Sequence, residues 1–196
     1  MQRPASLVLA TRNPHKLEEF RRLLAPRGIG VEALPADVLL PPEDGDTFAA
    51  NATPKARAAA AAADRAAIAD DSGIEAEALR GAPGVYSARY AGRQATDAEN
   101  LAKLRAEAPP GSALRYVCSL AFVDPGTETE RIFDGECRGR LAPEERGHGG
   151  FGYDPAFLPD EDPEGRTMAE LTDAEKDAIS HRGRAVRAML DWLECR

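Results

Sequence analysis

The chain has 196 residues, of which 43% are hydrophobic and 30% charged, and a formal net charge of −8. That length suits one domain with a sizeable core, and the acidic balance argues against non-specific nucleic-acid binding. No apolar run approaches the roughly 18 residues of a membrane span, "MQRPASLVLA" lacks a signal-peptide core, and the widely spaced Cys118, Cys137 and Cys195 are expected to be reduced thiols of a cytoplasmic protein.

The segment "SLVLA", residues 6–10, is short, apolar and followed by polar residues, so it is predicted to be a buried strand. Asn13 is a good N-cap and Pro14 fits the first position of a helix whose apolar face is Leu17, Phe20, Leu23 and Leu24, with Gly28 beyond its end. "IGVEAL" is the next expected strand and "PPEDGD" a loop. The Ala-rich residues 47–63 favour helix by propensity, although Pro54 implies either that Thr53 caps it or that its first turns are kinked. "AIADD" is expected to be a strand ending on the adjacent Asp70 and Asp71, and "RGAPGVYSARYAG" a loop. Thr96 with Glu99 forms a capping-box pattern for another helix. "RYVCSLAFVD" and "ERIFDGECRGRL" are predicted to form a long antiparallel hairpin through Pro125-Gly126. "ERGHGGFGYDPAFLPDEDPEG" is expected to be irregular and "TDAEKDAI" a short capped helix; Ser180 then caps a last helix whose inner face is Val186, Met189, Leu190 and Leu193. Strands alternate with helices before the hairpin intervenes, which gives an α/β fold with a mixed central sheet flanked by helices.

Four segments could carry chemistry. Arg12, His15 and Lys16 crowd the start of the first predicted helix, where the helix dipole disfavours cations by roughly 0.3–1 kcal/mol each. A docked anion would account for them, and a solvated basic turn is the competing reading. Asp70, Asp71 and Glu43 supply the hard oxygen donors with which Mg²⁺ is held beside substrate phosphates; the alternative is a polar turn before Ser72-Gly73. In "GHGGFGYDP", Gly147, Gly149, Gly150 and Gly152 permit close backbone approach around Phe151 and Tyr153, whose faces can stack on a nucleobase, while Asp154 can accept from a ring N–H. Without a ligand the same loop would be a lid. "SHRG" places His181 and Arg182 at another helix start, and Lys176 precedes them within reach of a phosphate.

Taken in order, "LATRNPHK", "DTFAANATPKA", "AIADDSGIE", "GAPGVYSARYAG", "GHGGFGYDPAF" and "ELTDAEKDAISHRGRA" resemble the inosine triphosphate pyrophosphatase family, the XTP/dITP diphosphatases. The resemblance runs nearly end to end. It implies a single nucleoside triphosphate pyrophosphatase domain over residues 1–196 with an active cleft between two lobes. The implied activity is Mg²⁺-dependent hydrolysis of ITP, dITP or XTP to the monophosphate and pyrophosphate, which cleanses the nucleotide pool. The implied assembly is a homodimer, with no nucleic-acid or membrane partner.

Carried over by resemblance, Thr11, Arg12, Asn13, Pro14, His15 and Lys16 line the phosphate site, with Lys55 and Lys176 as further phosphate ligands. Glu43 and Asp71 are the metal carboxylates, and Asp71 is also the catalytic proton acceptor. Ser72 contacts substrate, and Phe151, Gly152, Tyr153, Asp154, His181 and Arg182 form the base pocket. Where similar chains often carry "TFxENAxxKA", this one has Ala50 before Asn51 and then Pro54, so one carboxylate of that helix is missing. The rival readings are a pyrophosphatase for modified pyrimidine nucleotides and a non-catalytic nucleotide sensor.

Overall fold

The computed structural model describes residues 4–195. Its strands are β1 Ser6–Leu9, β2 Gly30–Ala33, β3 Ala67–Ala76, β4 Ala113–Asp124, β5 Thr129–Leu141 and β6 Phe157–Pro159; its α-helices are α1 Pro14–Leu24, α2 Phe48–Ala63, α3 Asp97–Glu107, α4 Asp173–Ile179 and α5 His181–Glu194. The strands form one open sheet in the order β2-β1-β3-β4-β5-β6. β1 is parallel to both β2 and β3, and β5 is antiparallel to β6. Neighbouring β4 and β5 are joined through the short 3₁₀ turn Pro125–Thr127, too few residues for a parallel crossover, so they form the expected antiparallel hairpin. The mixed α/β sheet follows.

The caps hold where a side-chain oxygen could be recognised. Asn13 accepts from the His15 and Lys16 amides ahead of Pro14, and Thr96 and Thr172 both close capping boxes, with Glu99 and Glu175. At α2 the cap is Thr47, which accepts from the Ala50 amide, and not Thr53. Pro54 therefore lies inside the helix, where a proline costs about 3 kcal/mol. Burial of Phe48, Ala52, Ala56, Ala59 and Ala60 along one face offsets that cost.

The chain divides into two compact units, one of Met1–Asp71, Cys118–Gly135 and Arg182–Arg196, the other of Ser72–Val117 and Glu136–His181. The first has two cores because its strands alternate. Leu7, Leu9 and Ile68 pack with Phe20 and Leu24 of α1 and Ala185, Val186, Met189 and Leu190 of α5. Val8, Ala10, Ala67 and Ala69 pack with Ala52, Ala56, Ala59 and Ala60 of α2. Each fully buried Leu or Phe contributes on the order of 1.5–3 kcal/mol. The expected inner face of α5 is borne out, with Leu193 partly buried against the first core.

β3 does not end at the aspartates. It continues through Ser72 and Gly73 to Ala76, so the polar-turn alternative is overturned. Asp has poor strand propensity, and the partners described below explain why the backbone stays extended.

The second unit is built on one core that includes Ile74, Leu101, Leu104, Leu114, Tyr116, Leu141, Phe157 and Met168. The loop expected to be irregular contributes β6, whose Leu158 lies opposite Arg140 of β5. "GVYSAR", expected to be loop, winds into a 3₁₀ turn over Gly84–Arg89. Gly139 is essential to the β5–β6 approach, since a Cβ there would lie 2.3 Å from the Leu158 carbonyl and 2.7 Å from the Phe157 ring. Gly139→Ala is expected to lower stability in urea unfolding by about 1–3 kcal/mol. Gly30→Ala, whose new Cβ would come no closer than 3.4 Å to a neighbour, is expected to change it by less than about 0.5 kcal/mol.

Candidate functional site

Strand alternation sends Asp70 to the face of Ile68 and Asp71 to the face of Ala69. Asp70 accordingly meets α1 and α5. Its Oδ2 lies 3.0 Å from Lys16 Nζ and accepts from Arg182 Nη2 at 3.0 Å and Nε at 3.3 Å. Arg182 also donates through Nη1 to Glu19, a buried carboxylate one helical turn from Lys16 on α1. Burial alone would raise the Asp70 pKa, but the charges of Lys16, Arg182 and Lys55 outweigh it and hold the carboxyl far below the usual range.

Asp71 meets α2 instead. Its Oδ2 accepts from Asn51 Nδ2 at 2.9 Å, and its Oδ1 lies 3.8 Å from Lys55 Nζ. Asn51 and Lys55 are four residues apart and so share one helix face. Lys55 also pairs with Glu43 and donates to the Asp70 carbonyl at 2.8 Å. Here burial wins: the Asp71 pKa is raised, and Lys55, Asn51 and Lys16 only partly counter the shift. Two neighbouring carboxyls are thus driven in opposite directions by the two faces of one strand.

The loop that carries Glu43 is tied down by side chains. Arg12 donates to the carbonyls of Leu34, Pro35, Ala36 and Val38 at 2.7–3.1 Å. Further along, the Gly45 amide donates to Asn51 Oδ1 at 2.8 Å. A Cβ on Gly45 would come within 2.8 Å of that oxygen and of Ala50 Cβ.

In the second unit, Asp154 is the hub. Its Oδ1 accepts from the Tyr116 hydroxyl at 3.0 Å, while its Oδ2 accepts from the Phe151 amide at 3.0 Å and Lys176 Nζ at 2.7 Å. Lys176 Nζ sits 5.2 Å from the centroid of the Phe151 ring. The His181 ring stacks on Tyr116 with centroids 4.6 Å apart and planes 6° from parallel. The Gly152 amide donates to Asp97 at the start of α3. A side chain on Gly150 would strike Asp154 Oδ2 at 2.0 Å, and Gly150 has φ +68°, so glycine is required there.

Several expected residues therefore stand elsewhere than the sequence suggested. Arg12 spends its donors on the 34–38 loop and not on the helix start. Arg182, expected in the base pocket, is 2% exposed and committed to Asp70 and Glu19. Lys176 pairs with Asp154 and lies over the Phe151 ring. Tyr153 is a packed core residue whose hydroxyl donates to the Ser87 carbonyl, so its ring is no exposed platform. Thr11 accepts from the Asn13 amide, Asn13 caps α1, Pro14 and His15 are exposed in its first turn, and Ser72 is half-buried within β3. Sequence reasoning missed Asn51, Glu19 and Tyr116. For Glu19 a signal existed, a carboxylate three residues from Lys16 beside Phe20.

Among the described residues no three His, Cys, Asp or Glu side chains gather to hold a metal unaided. Glu43 and Asp71 offer two carboxylates on either side of Lys55. Oxygen donors of that number suit a small hard cation that takes its remaining ligands from phosphate and water.

An α/β sheet carrying buried carboxyls interleaved with ammonium groups defines a protein equipped for phosphate-ester chemistry. The chain belongs to the Ham1 family, whose profile matches residues 7–192. It is 48% identical over 197 residues to a dITP/XTP pyrophosphatase of Mycolicibacterium paratuberculosis, covering 96% of this chain and 95% of the relative. The dITP/XTP pyrophosphatase of Bacillus subtilis is 44% identical, with 95% and 96% covered. A HAM1 protein from Coxiella burnetii superposes with a TM-score of 0.84 at 40% identity, covering 97% of this chain and 99% of that one.

Breaking a buried ion pair by removing one partner leaves an uncompensated charge. Arg182→Met, which removes the guanidinium that Asp70 and Glu19 share, is expected to lower unfolding stability by about 3–5 kcal/mol in urea titration. A loss below about 1 kcal/mol would show that the guanidinium is not holding them.

Proposed function

We propose that this protein is a nucleoside triphosphate pyrophosphohydrolase that converts dITP, ITP and XTP to the monophosphate and pyrophosphate. The observation that carries the chemistry is the opposed setting of the two carboxyls, Asp70 against Lys16 and Arg182 and Asp71 against Asn51 and Lys55. The names of the relatives, dITP/XTP pyrophosphatases at 43–50% identity, carry the substrate class. The protein is a hydrolase on the same ground.

Asp71 is the proton acceptor. Held through Oδ2 by the Asn51 amide, it takes the proton of a water attacking the α-phosphorus. Asp70, held ionised, keeps Lys16 extended at the start of α1, where the Lys16 ammonium receives phosphate oxygens. Thr11, Asn13, Pro14 and His15 shape the same turn, and Ser72 contacts substrate beside Asp71. Lys55 neutralises charge on the departing pyrophosphate. Glu43 and Asp71 would hold Mg²⁺, which when bound would polarise the phosphate oxygens and offset their charge.

The base is read in the second unit by Phe151, Gly152, Asp154, Lys176 and His181, with Tyr153 as their packed support. Hypoxanthine and xanthine present a 6-oxo acceptor where adenine presents an amino donor. Lys176 and His181 would donate to that oxygen, and an adenine amino group would not accept from them. Such mismatches yield discrimination of up to about 10⁴-fold. The reading extends to a homodimer and to a cytoplasmic location; Cys118, Cys137 and Cys195 are all free thiols, and among the described residues no helix is long and apolar enough to cross a membrane.

Pyrophosphate release with Mg²⁺ tests the activity. dITP and XTP are expected to turn over at least about 100-fold more efficiently than dATP or dTTP, and equal rates would sink the assignment. Asp71→Asn is expected to lower kcat by about 10²–10⁴ with the circular-dichroism spectrum unchanged; near-normal turnover would remove Asp71 from its role.

A further inference from the structure

One buried side chain touches two of the polar side chains assigned to the base, Asp154 and His181. Tyr116, on β4, is 6% exposed. Its ring is clamped between the His181 imidazole, stacked at 4.6 Å, and the Phe157 ring, tilted at 46° and also 4.6 Å away. Its hydroxyl donates to Asp154 Oδ1 at 3.0 Å. The other carboxylate oxygen is occupied by the Phe151 amide and Lys176, so the tyrosine bond fixes the rotation of the carboxylate and thereby the seat of the Lys176 ammonium. The flat stack sets the plane of the imidazole. Buried beside a carboxylate, the phenol stays protonated and remains a donor throughout the working pH range.

We infer that Tyr116 is the positioning residue for base recognition, aligning Asp154 through its hydroxyl and His181 through its ring without itself reaching the nucleotide. The inference rests on the assignment of Phe151, Asp154, Lys176 and His181 to the base. It adds a residue that lies outside the glycine-rich and "SHRG" motifs. Because Tyr116 acts at the base and not at the scissile bond, its loss should weaken binding of the preferred nucleotide more than it slows the chemical step.

The experiment compares wild type, Tyr116→Phe, Asp154→Asn and the double variant on dITP and dATP, reading KM, kcat and thermal midpoint. Tyr116→Phe keeps the stack and removes only the hydroxyl. Its KM for dITP is expected to rise about 5- to 20-fold with kcat within about twofold, and its preference for dITP over dATP to fall by a similar factor. If the tyrosine works through Asp154, the double variant will be no worse than Asp154→Asn alone. Unchanged KM and preference in Tyr116→Phe, with both altered in Asp154→Asn, overturns the inference and leaves the base assignment standing. Losses in the double variant that multiply independently also overturn it. An Asp154→Asn enzyme with unaltered preference removes the base assignment and the inference together. A Tyr116→Phe loss that is equal for dITP and dATP and tracks a lowered thermal midpoint reduces the residue to a packing role and overturns the inference.

Discussion

Successive residues of an extended strand face opposite ways, and in β3 that rule acts on two aspartates. Had both carboxyls shared one face, their repulsion in a buried setting would have demanded a metal or a protonated partner merely to fold. Alternation instead gives Asp70 the cations of α1 and α5 and gives Asp71 the amide and ammonium of α2. One becomes a fixed counter-ion and the other a carboxyl whose pKa burial raises. Separation of pKa values between neighbours is a common way to divide acid–base labour, and here the backbone geometry accomplishes it without any special loop.

The division also separates stability from chemistry. The Glu19–Arg182–Asp70 chain is buried and paired with Lys16 as well, so its value lies in holding Lys16 and β3 in place more than in net stabilisation, which for buried ion pairs is often small. Cys118, near the same charges, is pushed to high pKa by burial and by Asp70, so it behaves as an inert hydrophobe in this core. On the other face the small side chains of α2 let the helix lie close to the sheet, which is what brings Asn51 and Lys55 within reach of Asp71.

Local signals made much of this legible. Asn13, Thr96 and Thr172 announce their helices because a cap is a contact between neighbours in sequence. The Leu and Val run of β1 and the hairpin strands are equally plain from composition. Long-range partners were less readable. Arg182 looked like a free cation at a helix start because Glu19, 163 residues away, leaves no mark near it. Pro54 suggested a late start for α2, whereas the burial of an alanine face overrode the proline. β6 is too short, and too dependent on Gly139 opposite it, to show a period. Tyr116 read as one more strand aromatic, since nothing in "RYVCSL" records what its hydroxyl meets.

The loop between β2 and α2 illustrates how a site can be rigid in place yet free in sequence. Arg12 grips it only through main-chain carbonyls, which every amino acid possesses. Leu39, 89% exposed, faces water a few residues on. Leu34 is buried in the α2 core, Val38 and Leu40 pack against it, and Gly45 lies too close to the helix for a side chain. A solvent-facing position such as Leu39 can therefore drift over evolutionary time, or be replaced by a chemist attaching a dye or an affinity handle, while Glu43 keeps its place beside Lys55.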